Sequence, residues 1–219
     1  MDKTAVKELI AARVAKELRD GELVNLGIGL PTLIPGFLPP GVHVTLATEN
    51  GIVAAGSNAA ADSPDARYVV NAGGQPASCL VGGAFIDSAT SFGIIRGGHV
   101  DTSVLGALEV DQHANLANWI IPGKMVPGMG GAMDLVVGAR KVIVAMEHTQ
   151  RGAPKILREC TLPLTALACV TMIVTEMGVM VFRDGLLVLE EINPVFTVDE
   201  VLAATQAELV VSDHLVAMV

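Results

Sequence analysis

A chain of 219 residues with 51% hydrophobic and 17% charged side chains suits one sizeable domain with a substantial core, and two domains do not fit comfortably. Its formal net charge of −9 excludes a surface built to hold nucleic acid, which needs clustered Lys and Arg. With aromatics at only 3%, the core must come from Val, Leu, Ile, Ala and Met, as in a parallel sheet buried on both faces.

In chain order, Val6, Leu9, Ile10, Val14 and Leu18 recur at helical spacing, with Gly21 as a C-terminal stop. Leu23 to Leu26 predicts a first buried strand running into Gly27-Ile28-Gly29-Leu30-Pro31-Thr32. Pro31 starts the next helix, because its missing N–H is no loss at a first helical position. Val42 to Thr48 predicts a strand closed by Glu49-Asn50-Gly51. Further strands are expected at Thr102 to Leu108, Lys141 to Ala145 and Met172 to Val174. Val179 to Phe182 and Leu186 to Leu189 form a late hairpin about Asp184-Gly185, and Thr197 with Glu200 makes a capping box for a helix through Val201 and Leu202.

The alternation predicts an α/β fold, one domain over residues 1–219 with a mostly parallel sheet. Cys160 to Thr175 is uncharged but falls short of the ~18–20 apolar residues that span a bilayer, and it contains Pro163. Leu23 to Thr48 is broken by Pro31, Pro35, Pro39 and Pro40. The first residues open straight into an amphipathic pattern with no apolar signal core, so a cytoplasmic address is expected. Cys79, Cys160 and Cys169 stand apart as reduced, buried side chains, and none of the five histidines has metal-ligand spacing, so no metal is expected.

Glu49 is a lone carboxylate at a strand end, where α/β folds place ligands; the plain alternative is a solvated turn residue before Asn-Gly. Glu109, Glu147 and Glu176 also end strand-like runs, and local pattern does not separate the four. Gly27-x-Gly29 starts like a dinucleotide fingerprint, but Thr32 stands where the third glycine belongs. Gly128-Met129-Gly130-Gly131-Ala132 is either a tight turn or a set of bare backbone N–H groups that converge on an oxyanion. Arg96, His99 and Lys124 flank glycine-rich turns as candidate partners for phosphate or carboxylate, and Trp119 suits packing or an interface.

Five runs together resemble the β subunit of family I CoA-transferases: Asn25 to Pro31, Glu49-Asn50-Gly51, Asn71 to Gly74, Arg96 to His99, and Asn118 to Ala132. The likeness extends over nearly the whole chain and is strongest to the 3-oxoacid (acetoacetate) branch, with Thr48 where the family often has Ser. It implies a three-layer α/β/α fold of the sugar-phosphate-isomerase-like kind. It also implies ping-pong transfer of CoA between an acyl-CoA (succinyl-, acetyl- or butyryl-) and a 3-oxoacid, through a glutamyl-CoA thioester on Glu49. Gly130 is then the oxyanion donor. Asn25, Gly27, Gly29, Asn50, Gly51, Gly131 and Lys124 are the expected substrate and CoA contacts. No cofactor is permanently bound, CoA being a substrate, and an α subunit is the expected partner in an αβ or α2β2 assembly. The competing reading is a non-catalytic regulator that binds a CoA ester or sugar phosphate on the same scaffold.

Overall fold

The computed structural model describes residues 2–59, 67–124, 126 and 128–218. Met125 and Pro127, within the Asn118 to Ala132 run, lie outside the described residues. Helix α1 (Lys3–Ala15) leads through β1 (Leu23–Leu26) and a 3-10 helix (Leu30–Phe37) to β2 (Thr45–Leu46). A ribbon of β3 (Ile52–Asn58) and β4 (Ala77–Phe85) follows, then α2 (Ser88–Arg96), β5 (Thr102–Leu105), β6 (Glu109–Asp111) and β7 (Leu116–Ala117). The chain continues with α3 (Ala132–Gly138), β8 (Lys141–Ala145), β9 (Thr149–Gln150), β10 (Ala153–Pro154), β11 (Ile156–Leu157) and β12 (Met172–Val174). It closes with β13 (Gly178–Arg183), β14 (Leu186–Ile192), α4 (Val198–Ala204) and β15 (Leu209–Ala217).

The main sheet runs β15-β14-β13-β12-β8-β5-β1-β2. From β2 to β12 every pair is parallel, and β13 alone is antiparallel to both neighbours. All four residues of β5 are buried, as are the last four of β8, so these central strands read as unbroken aliphatic runs. Ile10, Val14, Val24, Ile34 and Val104 form a core under α1 and the 3-10 helix. On the opposite face Leu105, Leu116, Val142, Val144 and Ile173 pack with Val201 of α4, while Ile95 of α2 meets Leu135 of α3. Helices thus cover both faces, giving three layers.

The hairpin and capping box form as expected: Asp184 and Gly185 take φ of 53° and 79°, and Thr197 and Glu200 bond reciprocally. Three departures have local causes. Helix α1 stops at Ala15, before Gly21, and Leu18 reaches the core from the following turn. Leu30–Phe37 is a 3-10 rather than an α-helix, since Pro31 and Pro35 remove N–H groups that an i→i−4 ladder needs. The Thr102 strand ends at Leu105, and Glu109 opens a separate sheet ordered β11-β6-β7.

Candidate active site

The parallel strands β1, β2 and β5 all end at one cleft of about 1280 Å³, lined by Gly27, Ile28, Ala47, Thr48, Glu49, Gly106 and Ala107 among others. This is the carboxyl edge of the sheet, where ligands bind in open α/β folds. The ribbon forms another wall through Ala55, Gly56, Ser57, Ala77 and Leu80. Glu49 is the only ionisable side chain among the described lining residues.

The turn that carries Glu49 is fixed from several sides. The Thr48 N–H donates to the Ile52 carbonyl (2.9 Å), the Gly51 N–H to the Thr48 carbonyl (3.0 Å), and the Ile52 N–H to Thr48 Oγ1 (3.0 Å). Thr48 Oγ1 in turn donates to Asn50 Oδ1 at 2.7 Å, and Ser91 Oγ of α2 donates to the Thr48 carbonyl at 3.3 Å. Gly51 has φ +107°, and a Cβ there would collide with the Ile86 carbonyl, so only glycine fits. Asn50 Nδ2 donates to the Val70 carbonyl (2.8 Å), tying the turn to the loop that begins at Asn71.

Glu49 is half-buried, and among the described residues no hydrogen bond or ion pair engages its carboxylate. Its stem lies against the glycine cluster: a Cβ on Gly131 would stand 3.2 Å from Glu49 Cγ and 3.3 Å from Phe92 Cζ, and one on Gly130 3.9 Å from Glu49 Oε1. The glycine segment Gly128 to Ala132 is therefore both a turn into α3 and the wall facing the carboxylate.

Asn25 is 2% exposed and lines the cleft, but its Nδ2 donates to the Ala47 carbonyl (2.9 Å) and leaves Oδ1 without a partner among the described residues. It ties β1 to the strand before Glu49 and offers an acceptor rather than an oxyanion donor. Gly27 also lines the cleft, yet its N–H is committed to the Val104 carbonyl at 2.7 Å. Gly29 (φ +89°), Asn50, Gly51 and Gly131 lie outside the cleft lining; they shape its turns. Lys124 is exposed in a turn away from the lining, and His99 is exposed as well. Arg96 Nε bonds Asp134 Oδ1 at 2.7 Å, and its guanidinium sits 5.5 Å above the Phe92 ring. Its role is to join α2 to α3, so no basic side chain of the described residues lines the cleft.

The rival carboxylates separate. Glu109 accepts from the Thr161 N–H (2.7 Å), Thr161 Oγ1 (2.8 Å) and the Leu162 N–H (2.9 Å), so it locks a loop. Glu176 accepts from the His148 N–H at 2.9 Å. Neither these nor Glu147 line the cleft. Burial pushes the Cys169 thiol up to about 11, and burial with Asp111 and Glu109 raises Cys160, so both stay protonated and unreactive. Trp119 Nε1 donates to the Leu164 carbonyl at 3.2 Å, a packing role. Local pattern missed Thr48, Ser91 and Phe92. The Thr48 hydroxyl beside a turn was a usable signal, whereas Phe92 had none.

Comparison with known proteins places relatives around this geometry. A family model described as Coenzyme A transferase matches residues 7–204. The β chain of the acetate CoA-transferase of Escherichia coli K12 is 57% identical over 210 residues, covering 95% of each chain. One of the two chains of the succinyl-CoA:3-ketoacid coenzyme A transferase of Helicobacter pylori strain 26695 is 44% identical over 204 residues, covering 93% of this chain and 98% of that one. The human mitochondrial succinyl-CoA:3-ketoacid coenzyme A transferase 2 is 45% identical over 209 residues; these are 94% of this chain but 40% of that one. Among solved structures, an acyl-CoA transferase (YdiF) apoenzyme from Escherichia coli O157:H7 superposes with a TM-score of 0.76 at 22% identity. That match covers 98% of this chain and 43% of the larger one. Glutaconate coenzyme A-transferase from Acidaminococcus fermentans gives 0.70 at 17% identity, covering 97% of this chain and 88% of that one. At these identities the structures bear on the fold alone.

Proposed function

This chain belongs to the coenzyme A transferase family, and we propose that it is the β subunit of a 3-oxoacid CoA-transferase, working with an α subunit, in which Glu49 is the nucleophile. The observation that carries the reading is Glu49 itself: the one ionisable group among the described residues lining the cleft, on a turn whose backbone has no slack. An unpaired carboxylate in water is ionised at neutral pH and needs no general base. It attacks the thioester carbonyl of an acyl-CoA, forming an acyl-glutamyl anhydride as the CoA thiolate leaves. The thiolate then attacks the glutamyl carbonyl of the anhydride and expels the acyl group as its free carboxylate, leaving CoA on Glu49 as a thioester. A second acid reverses both steps. The Gly130 region faces the carboxylate and is suited to meet the oxyanion of each tetrahedral intermediate, and the apolar lining from Leu26, Leu46 and Leu108 keeps water from the anhydride.

With no cation among the described lining residues, the cleft favours acids with a single carboxylate, such as acetate, butyrate and acetoacetate, over dicarboxylates, whose far charge would be left buried and unpaired. A sugar-phosphate-binding regulator would need cations in the same place. The experiment is to incubate the αβ complex with acetoacetyl-CoA and no acceptor, then reduce with borohydride. Reduction of the Glu49 carboxyl to the alcohol is expected by mass spectrometry, and Glu49→Gln should abolish transfer while CoA binding persists. Retained turnover in Glu49→Gln would sink the mechanism.

A further inference from the structure

The β3–β4 ribbon carries an apolar surface that the rest of the fold leaves bare. Val53 faces Ala84, but Ala55 faces Cys79, so Leu80-Val81-Gly82-Gly83 loops out of β4 as a wide bulge. Val81 at its tip is wholly exposed, Phe85 is 62% exposed and nearby Tyr68 is 84% exposed. No charged residue occurs in 50–58 or 68–86, although natural sheet edges are usually guarded by charge. Beneath the ribbon lies only the small cluster of Ile52, Ala55 and Ala77, and a two-stranded ribbon with so little packing is marginal in water. A bare, uncharged apolar face of this kind marks an interaction site.

We propose that the outer face of this ribbon, anchored by Val81 and Phe85, is where the α subunit docks. The inference rests on the two-chain reading above. Leu80 joins the face to the cleft: it lines the cleft, and its Cδ2 lies 3.0 Å from where a Cβ on Gly56 would stand. A chain seated on the ribbon therefore borders the cleft mouth. That is where cations are needed, because CoA carries several phosphate charges and the described lining of this cleft supplies no basic side chain. A second copy of this chain, with its own net charge of −9, would bring repulsion instead. The human relative of which this chain matches 40% has the length to carry a second domain in the same polypeptide.

The test co-expresses the chain with its α subunit and compares wild type with Val81→Asp, Phe85→Asp and the double variant, by light scattering after size exclusion and by hydrogen exchange over 77–85. Val195→Asp, exposed on the loop before α4, is the control. Buried interface anchors typically cost at least about 2 kcal/mol when lost, so the double variant should bind α at least about 30-fold more weakly, with Val195→Asp assembling normally. Residues 77–85 should be protected in the wild-type complex, and the isolated variants should melt like the isolated wild type. Undiminished assembly of the double variant, with 77–85 exchanging equally in chain and complex, would overturn the proposal. Aspartates that dissolve a homodimer and leave the αβ complex intact would overturn it in favour of a second copy. Failure of the two-chain reading looks different: the wild-type chain ignores α and turns over unaided.

Discussion

Glu49 has little freedom to miss its target. Its backbone is held by the Thr48 and Gly51 bonds, and its methylene stem is squeezed between the bare face of Gly131 and the edge of Phe92. Gly131 has φ −87°, an ordinary value, so alanine is tolerated by the backbone but not by the neighbours. Gly131→Ala is expected to push the carboxylate aside and lower kcat about 10²-fold, the usual result of a displacement near 1 Å. The cost in stability should stay within about 1–3 kcal/mol, as for other overpacked sites. Steady-state kinetics beside urea unfolding separate the two; an unchanged kcat would mean that the stem is free to relocate. The Glu49-Asn50-Gly51 turn was legible in the sequence because Asn-Gly chemistry is local. Its partner Gly131 was legible only as one of several glycines, since nothing near it in the chain names the side chain it will face.

Among the elements, α2 and α3 form the buttress behind that contact. Ile95, Val100 and Leu135 bury their shared face, Phe92 reaches Gly131, and Arg96 links to Asp134. The ion pair is exposed, with 68% of the Arg96 side chain open to water, so Arg96→Gln should change stability by less than about 1 kcal/mol. Phe92→Ala removes packing instead. It is expected to cost roughly 1–3 kcal/mol, below the usual Phe→Ala range because the ring is only half-buried, and to lower kcat more than KM. Equal stability losses in the two variants, by urea unfolding, would contradict this ordering. The aliphatic runs of β5 and β8 announced themselves in the sequence. The ribbon did not, because Ala, Gly and Ser are poor strand formers and β4 is interrupted by its bulge.

Across the whole molecule, two buried polar groups set the response to acid. His148 is fully buried at the ends of β8 and β12, its ring nitrogens against Thr175 Oγ1 (3.0 Å) and Thr205 Oγ1 (2.9 Å). Burial, with Lys155 nearby, lowers its pKa from 6.5 to about 4. A base whose pKa is depressed on folding keeps its contribution above the unfolded value and loses it as pH falls. His148 should therefore cost the fold up to about 3 kcal/mol between pH 6.5 and 4. Glu176, raised chiefly by burial, offsets part of this by taking up a proton in the folded state. Below that window Glu17 adds to the loss. Burial alone would raise its pKa, but Lys141 and Arg13 outweigh burial and hold it low, and that stability goes as the carboxylate is protonated. Urea unfolding at pH 7.5, 5.5 and 4.5 should show the decline, and His148→Gln should flatten it; a slope unchanged by His148→Gln would refute the assignment.

Elements whose causes lie within a few residues were written in the chain itself: the buried strands from aliphatic runs, the Asp184-Gly185 hairpin, the Thr197 capping box and the turn after Glu49. The family likeness was written there too. Which of four strand-end carboxylates faces the cleft was settled only by folding. Glu109 and Glu176 are committed to backbone N–H groups of remote segments, while Glu49 is left unpaired among the described residues, opposite Gly130. The same holds for the basic residues, because Arg96 is drawn away by Asp134 and Lys124 is exposed to solvent. A residue type states which bonds a side chain can make; only packing between distant segments states which are already made.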